Sequence, residues 1–259
     1  MNPFDRLSRR QPGLTAGFFT AVAFFTRIPV ATPAADEWSL AEASWAFPLV
    51  GAGIGAIAAL VFLVAQLARL GDWPSALLAV LAGLLLTGAL HEDGLADTAD
   101  GIFGGNDRDH RLAIMRDSRH GTFAVLALVL SVGLRAAALA QIGGVVFAGL
   151  ALIAAHAVSR ALLPVAMWRL PAAREQGLGA EAGRPRPPMV LAGVLIALAI
   201  GAAALGPLHG LVAMAVAVLA IGAAGVIARR RIGGYTGDVL GAFQQIAEVT
   251  ILLAALALR

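Results

Sequence analysis

A chain of 259 residues that is 59% hydrophobic and 14% charged departs from a soluble domain, which averages roughly 45–50% apolar and about 25% charged. Its mean hydropathy of +0.82 makes it a polytopic membrane protein, expected as one all-α transmembrane domain over 1–259 rather than a string of soluble domains. Cysteine and lysine are absent, so disulfides and thiolate metal sites are excluded. The net charge of +3 rests on 19 arginines, so the pI of about 10.8 does not argue for nucleic acid, and no nucleic-acid partner is expected.

The first apolar segment, 13–26, is too short to cross a bilayer and reads as an interfacial or re-entrant helix. It ends at Arg27-Ile28-Pro29 without a small-residue cleavage site, so no cleavable signal is expected. Segments near the ~20 apolar residues of a span follow at 46–70, 75–92, 121–142, 144–168, 188–206, 208–228 and 239–258. Backbone groups in lipid must be satisfied within the segment, so these lengths predict an integral membrane helix bundle of about seven spans.

Arginine placement predicts the topology. Arg6, Arg9 and Arg10 precede the first span, and Arg108, Arg111, Arg116 and Arg119 lie between the second and third. Arg169, Arg174, Arg184 and Arg186 follow the fourth, and Arg229, Arg230 and Arg231 follow the sixth. The alternate connections carry only Arg69, which puts the N-terminus and long loops in the cytoplasm and the C-terminus in the periplasm. Internal repeats of the kind many transporters carry are not evident.

The uncharged run from Ser75 to Leu90 gives way abruptly to His91-Glu92-Asp93-Gly94-Leu95-Ala96-Asp97-Thr98-Ala99-Asp100-Gly101. Of the chain's 16 acidic residues, four lie here, a dense use of a scarce residue type. At helical spacing Asp93, Asp97 and Asp100 fall in one narrow arc, where three carboxylates repel unless a cation sits among them. Oxygen-only ligands favour a hard ion, most simply Mg²⁺. The plainer reading is a solvated acidic helix end.

Three further polar clusters fall on the same predicted side. Arg116 and Arg119, flanking Asp117, stand one turn apart at the third span's entry and suit bidentate grip on phosphate, or ordinary interfacial anchoring. Gly233-Gly234-Tyr235-Thr236-Gly237-Asp238 opens the last span, whose face also carries Gly241, Gln245 and Glu248; the plainer reading is an N-cap with a buried structural Glu. In the fourth span His156, Ser159 and Arg160 share a face, with Arg160 either a phosphate ligand or a partner of Glu248. Arg135 reads as an isolated packing or snorkelling residue, His91 and His120 as site members, and His110 and His209 as loop residues. No zincin motif forms, since Leu95 stands where HExxH needs its second histidine, and no Walker A sequence or paired nucleophile is present.

The chain resembles the cobalamin synthase family, the adenosylcobinamide-GDP ribazoletransferases. The resemblance rests on Phe24-Phe25-Thr26-Arg27-Ile28-Pro29, Phe47-Pro48-Leu49-Val50-Gly51, His91 to Gly101, Ile114 to Gly121, Ala173-Arg174 with Gly177-Leu178-Gly179, and Gly237-Asp238 through Glu248. These patches stand in the family's order, and the acidic core is the specific one; Glu92 stands where the family often has an apolar residue. The resemblance implies a multi-pass enzyme of the bacterial inner (cytoplasmic) membrane, its active site facing the cytoplasm. Such an enzyme joins adenosylcobinamide-GDP to α-ribazole or its 5′-phosphate, releases GMP, and uses Mg²⁺ as cofactor. Carried onto this chain, Asp93, Asp97, Asp100 and Asp238 are the expected catalytic set, the first three also holding the metal. Arg27, His91, Arg116, Asp117, Arg119, Arg160 and Glu248 are expected to bind substrate. A membrane CDP-alcohol phosphotransferase stays as an alternative, though its DGxxAR signature is not met, since Asp97-Thr98 follow Ala96. A membrane prenyltransferase would need a second Asp-rich helix, and a transporter would carry carboxylates near the midplane. A homo-oligomer is left open.

Overall fold

Proline and glycine set the helix boundaries. Pro48, Pro187 and Pro207 stand in the first turns of α2 (Phe47–Leu67), α9 (Pro187–Leu205) and α10 (Pro207–Ile232), where a missing N–H leaves no bond unmade. Left-handed Gly88 and Gly233 end α3 (Asp72–Thr87) and α10. The other helices are α1 (Leu14–Phe25), α4 (Leu90–Gly104), α5 (Arg108–Ile114), α6 (Thr122–Gln141), α7 (Val145–Arg169), the single turn α8 (Leu178–Glu181) and α11 (Gly237–Ala257). A 3₁₀ turn, Glu42–Ala46, leads into α2. The computed structural model describes residues 14–31 and 39–259, and no strand occurs among them.

Six of these helices are long and apolar enough to cross a membrane; α3 and α4 qualify only together, bent by 92°. Counting that pair as one crossing gives the seven expected. With 12 residues, α1 is about 18 Å long, short of the ~30 Å hydrocarbon core.

The expected second span, 75–92, is not continuous. It breaks at Gly88 and Ala89, both left-handed with φ of 65° and 57°. For alanine that conformation costs roughly 1–2 kcal/mol, so surrounding structure must hold it. Arg27 helps: its backbone N–H donates to the Leu86 carbonyl at 2.8 Å, one of the acceptors a helix end leaves free, and its guanidinium lies against Gly88.

Small residues let the helices approach closely, as packing in lipid requires. A Cβ on Gly55 of α2 would meet the Leu152 carbonyl oxygen of α7 at 2.6 Å, and Gly51 would collide with the carbonyl of His156.

At one end the Arg-rich loops are stitched together. Arg108 donates to the carbonyls of Ile232 (3.1 Å) and Ala173 (2.8 Å), and Arg174 to that of Leu112 (3.0 Å). The Arg259 side chain instead lies against Gly143, in the turn between α6 and α7. Arg6, Arg9 and Arg10, part of the topology argument, lie outside the described residues. Reporter fusions within 171–187 and at Arg259 are expected to report opposite membrane faces; the same face for both would mean that one of α9–α11 does not cross.

Candidate active site

The site begins where α4 meets α11. A Cβ on Gly94 would lie 2.7 Å from the Asp238 carbonyl oxygen, and one on Gly241 would lie 3.1 Å from that of His91. Only glycine at both positions allows this backbone contact. It brings Asp93 of α4 and Asp238 of α11 to the lining of one cavity of about 210 Å³. Phe24, Phe25, Phe47, Leu163, Met167 and Leu240 form its apolar wall; His91, Arg174, Tyr235 and Thr236 join it, with Gln176, Gly177, Gly179 and Ala182 of the long loop closing it.

Asp93 is exposed. Asp97, one turn on, lies 3.9 Å from Nδ1 of the loop residue His120. Its carboxyl stands under the negative charges of Asp93 and Asp238. Asp238 receives a hydrogen bond from the Thr236 hydroxyl (3.1 Å) and lies 3.7 Å from Arg174, while Thr236 itself caps α11 by accepting from the Val239 N–H. Burial lowers the Arg174 guanidinium from its usual range, against the pull of Asp238.

Asp100 does other work. Its two carboxylate oxygens accept the backbone N–H groups of Gly121 and of Ala124, the latter at 2.9 Å, so it caps the start of α6. Among the described residues no three His, Asp or Glu side chains converge as a ready-made ligand set. The expected shell of Asp93, Asp97 and Asp100 is therefore not preformed. Asp100→Asn keeps one acceptor of the cap, and is expected to lower stability by about 1 kcal/mol while retaining activity. Loss of activity at unchanged thermal stability would return Asp100 to the reacting centre.

The loop cluster is also divided. Arg119 binds Asp117 through Nε (2.9 Å) and Nη2, and these hydrogen bonds hold the Asp117 carboxyl down at about 2. The Arg119 side chain remains 87% exposed in this pair. Exposed Arg116 makes no ion pair among the described residues and acts electrostatically on Arg174. Arg27, also exposed, braces the α3–α4 break instead of lining the cavity.

Arg160 and Glu248, expected to touch substrate, lie beneath the cavity in a buried network. Glu248 accepts from Arg135 (3.0 Å) and Gln244 (2.6 Å) and sits 3.1 Å from His156. Arg135 also donates to Glu92 at 3.0 Å, and Gln245 bridges Glu92 to Gln244 and Ser131. Arg160 bonds His156 at 3.0 Å, with its guanidinium over the Phe25 ring, and forms no direct pair with Glu248. The reading of Arg135 as an isolated snorkelling residue is corrected. It is 3% exposed, and the cost of desolvating its guanidinium is offset by two carboxylates, each 3.0 Å away. Arg174, Tyr235 and Glu92 also escaped notice as site or network residues. For Glu92 and Arg135 the available signal was charge inside an apolar stretch, a marker of functional or paired groups.

The fold and site define a polytopic membrane protein with a carboxylate-lined cavity at one end of its bundle. The profile of the cobalamin-5-phosphate synthase family matches residues 17–256, and the chain belongs to that family. It is 47% identical over 241 residues to an adenosylcobinamide-GDP ribazoletransferase of Bradyrhizobium diazoefficiens, covering 92% of each chain. It is 41% identical over 257 residues to one of Azorhizobium caulinodans (95% of this chain, 97% of the relative) and 41% identical over 234 residues to one of Mesorhizobium japonicum (90% of each). No solved structure matches.

Proposed function

We propose that this chain is a multi-pass membrane transferase of cobalamin biosynthesis that joins adenosylcobinamide-GDP to α-ribazole, or to its 5′-phosphate, with release of GMP. Family membership and the relatives' names support the reaction. The observation that carries the site is that Asp93 and Asp238, from two helices in backbone contact, line one cavity.

An acceptor hydroxyl attacks the cobinamide-linked phosphorus. A new O–P bond forms as the bond to GMP breaks, and the hydroxyl proton passes to solvent. Chemistry of this kind needs chiefly positioning and charge stabilisation. Asp93 and Asp97 would hold Mg²⁺. Their oxygen-only donor set and crowded negative charge suit a hard cation, which is usually held by one or two carboxylates together with substrate phosphates. When bound, that ion neutralises charge on the reacting phosphate oxygens. Arg174 at the cavity and Arg116 beside it place positive charge where the diphosphate arrives, while Asp100 holds the start of α6 in register behind them.

The site opens at the end where the Arg-rich loops converge, so by the positive-inside rule it faces the cytoplasm from the inner membrane. Incubating purified protein with adenosylcobinamide-GDP and α-ribazole should release GMP in Mg²⁺ and none in excess chelator. GMP release unaffected by chelation would remove the metal from the reading; no release at all would remove the reaction.

A further inference from the structure

Resting on that reading, we propose that the cavity beside Asp93 is the pocket for the planar base of the α-ribazole acceptor, and that His91 Nε2 donates a hydrogen bond to the base's free ring nitrogen. Three observations converge on this.

Size is the first. At about 210 Å³ the cavity falls below the roughly 300–1,000 Å³ that hold whole drug-sized ligands. A corrinoid, or a guanosine with its diphosphate, is too large to enter. A two-ring base fits.

The second is wall chemistry. A guanine edge carries several donors and acceptors, and burying them against Phe24, Phe25, Phe47, Leu163 and Met167 would leave them unpaired. A benzimidazole offers flat apolar faces suited to aromatic neighbours and one unsubstituted ring nitrogen. Arg174, Gln176, Tyr235 and Thr236 also line the cavity, but His91 is the donor stacked on the phenylalanine wall: it is 3% exposed, and its buried Nε2 has no partner among the described residues. The His91 ring is held by stacking on Phe25 at 5.6 Å. Buried polar atoms are rarely left unpaired, so an orphan on the phenylalanine side of the cavity marks where a ligand acceptor belongs.

Position is the third. Asp93 and Asp238 line the same cavity, so a base seated against the phenylalanines presents its ribose hydroxyls towards the carboxylates. The bulky corrinoid substrate then approaches from the open side and never needs to enter the bundle.

The test is equilibrium dialysis of α-ribazole and, separately, adenosylcobinamide-GDP against the full chain in lipid nanodiscs, with GMP release assayed on the same preparations. Leu40→Trp and Leu240→Trp, at half-buried lining positions, should each weaken α-ribazole binding at least tenfold and leave adenosylcobinamide-GDP binding unchanged. The matching indole riboside, which carries CH in place of the free nitrogen, should bind wild type about tenfold more weakly than α-ribazole; His91→Leu should bind the two alike. Undiminished α-ribazole binding in both tryptophan variants, or a loss confined to adenosylcobinamide-GDP, overturns the pocket assignment while wild-type GMP release keeps the transferase. A lipid chain that co-purifies in the cavity and is not displaced by α-ribazole overturns it too. Absence of GMP from wild type defeats the transferase reading itself.

Discussion

Asp93→Asn is expected to lower GMP release at saturating substrate by about 10²–10³-fold, the scale seen when one electrostatic stabiliser of a reacting centre is removed. Asp97→Asn should do the same. Asp93 lines the cavity in the open, and Asp97 sits one turn away under the charge of Asp93 and Asp238. Amides in their place lose the charge a hard cation needs while keeping shape. Asp107→Asn and Asp109→Asn are the controls. Asp107 caps α5 by accepting the His110 N–H at 2.9 Å, and Asp109 pairs with exposed Arg108; an asparagine still caps, and exposed pairs contribute little. Steady-state GMP release across a Mg²⁺ titration is the measurement. Losses of similar size at all four positions would show that the acidic face of α4 has no special part in the reaction.

Arg135→Ala is expected to be the most damaging single change to the fold. Arg135 is the donor shared by Glu92 and Glu248, each 3.0 Å away, with all three side chains at most 8% exposed. Removing it strands two carboxylates in the bundle interior. Breaking even one buried pair costs about 3–5 kcal/mol, against a typical total stability of about 5–15 kcal/mol. The variant should fail to accumulate as a monodisperse species, read by size-exclusion and thermal aggregation. The triple replacement Glu92→Gln, Arg135→Gln, Glu248→Gln removes both charges with the cation and should recover much of the loss. An Arg135→Ala protein as stable as wild type would mean that the network does not carry charged partners as described. Glu92 and Asp93 are consecutive on α4, one anchored in this network and the other lining the cavity. The network therefore also sets the position from which the acidic face works.

Length and hydrophobic period by themselves determined that this chain is a helical membrane bundle with seven apolar stretches. They also put Asp93, Asp97 and Asp100 on one helical face and the arginines in alternate connections. These are local properties: a span must satisfy its own backbone in lipid, and residues three or four apart share a face whatever surrounds them. The tertiary structure alone decided the rest. No proline marks the break at Gly88 and Ala89, and alanine disfavours the left-handed turn it adopts there; contacts such as that of Arg27 hold it. Asp100 looks identical to its two neighbours in the motif, yet it caps a helix that starts more than twenty residues later, accepting from Ala124 at a separation of 24. The partners of Arg135 lie 43 and 113 positions away. A charge in an apolar span must be paired, but which counter-charge answers it depends on how the helices pack.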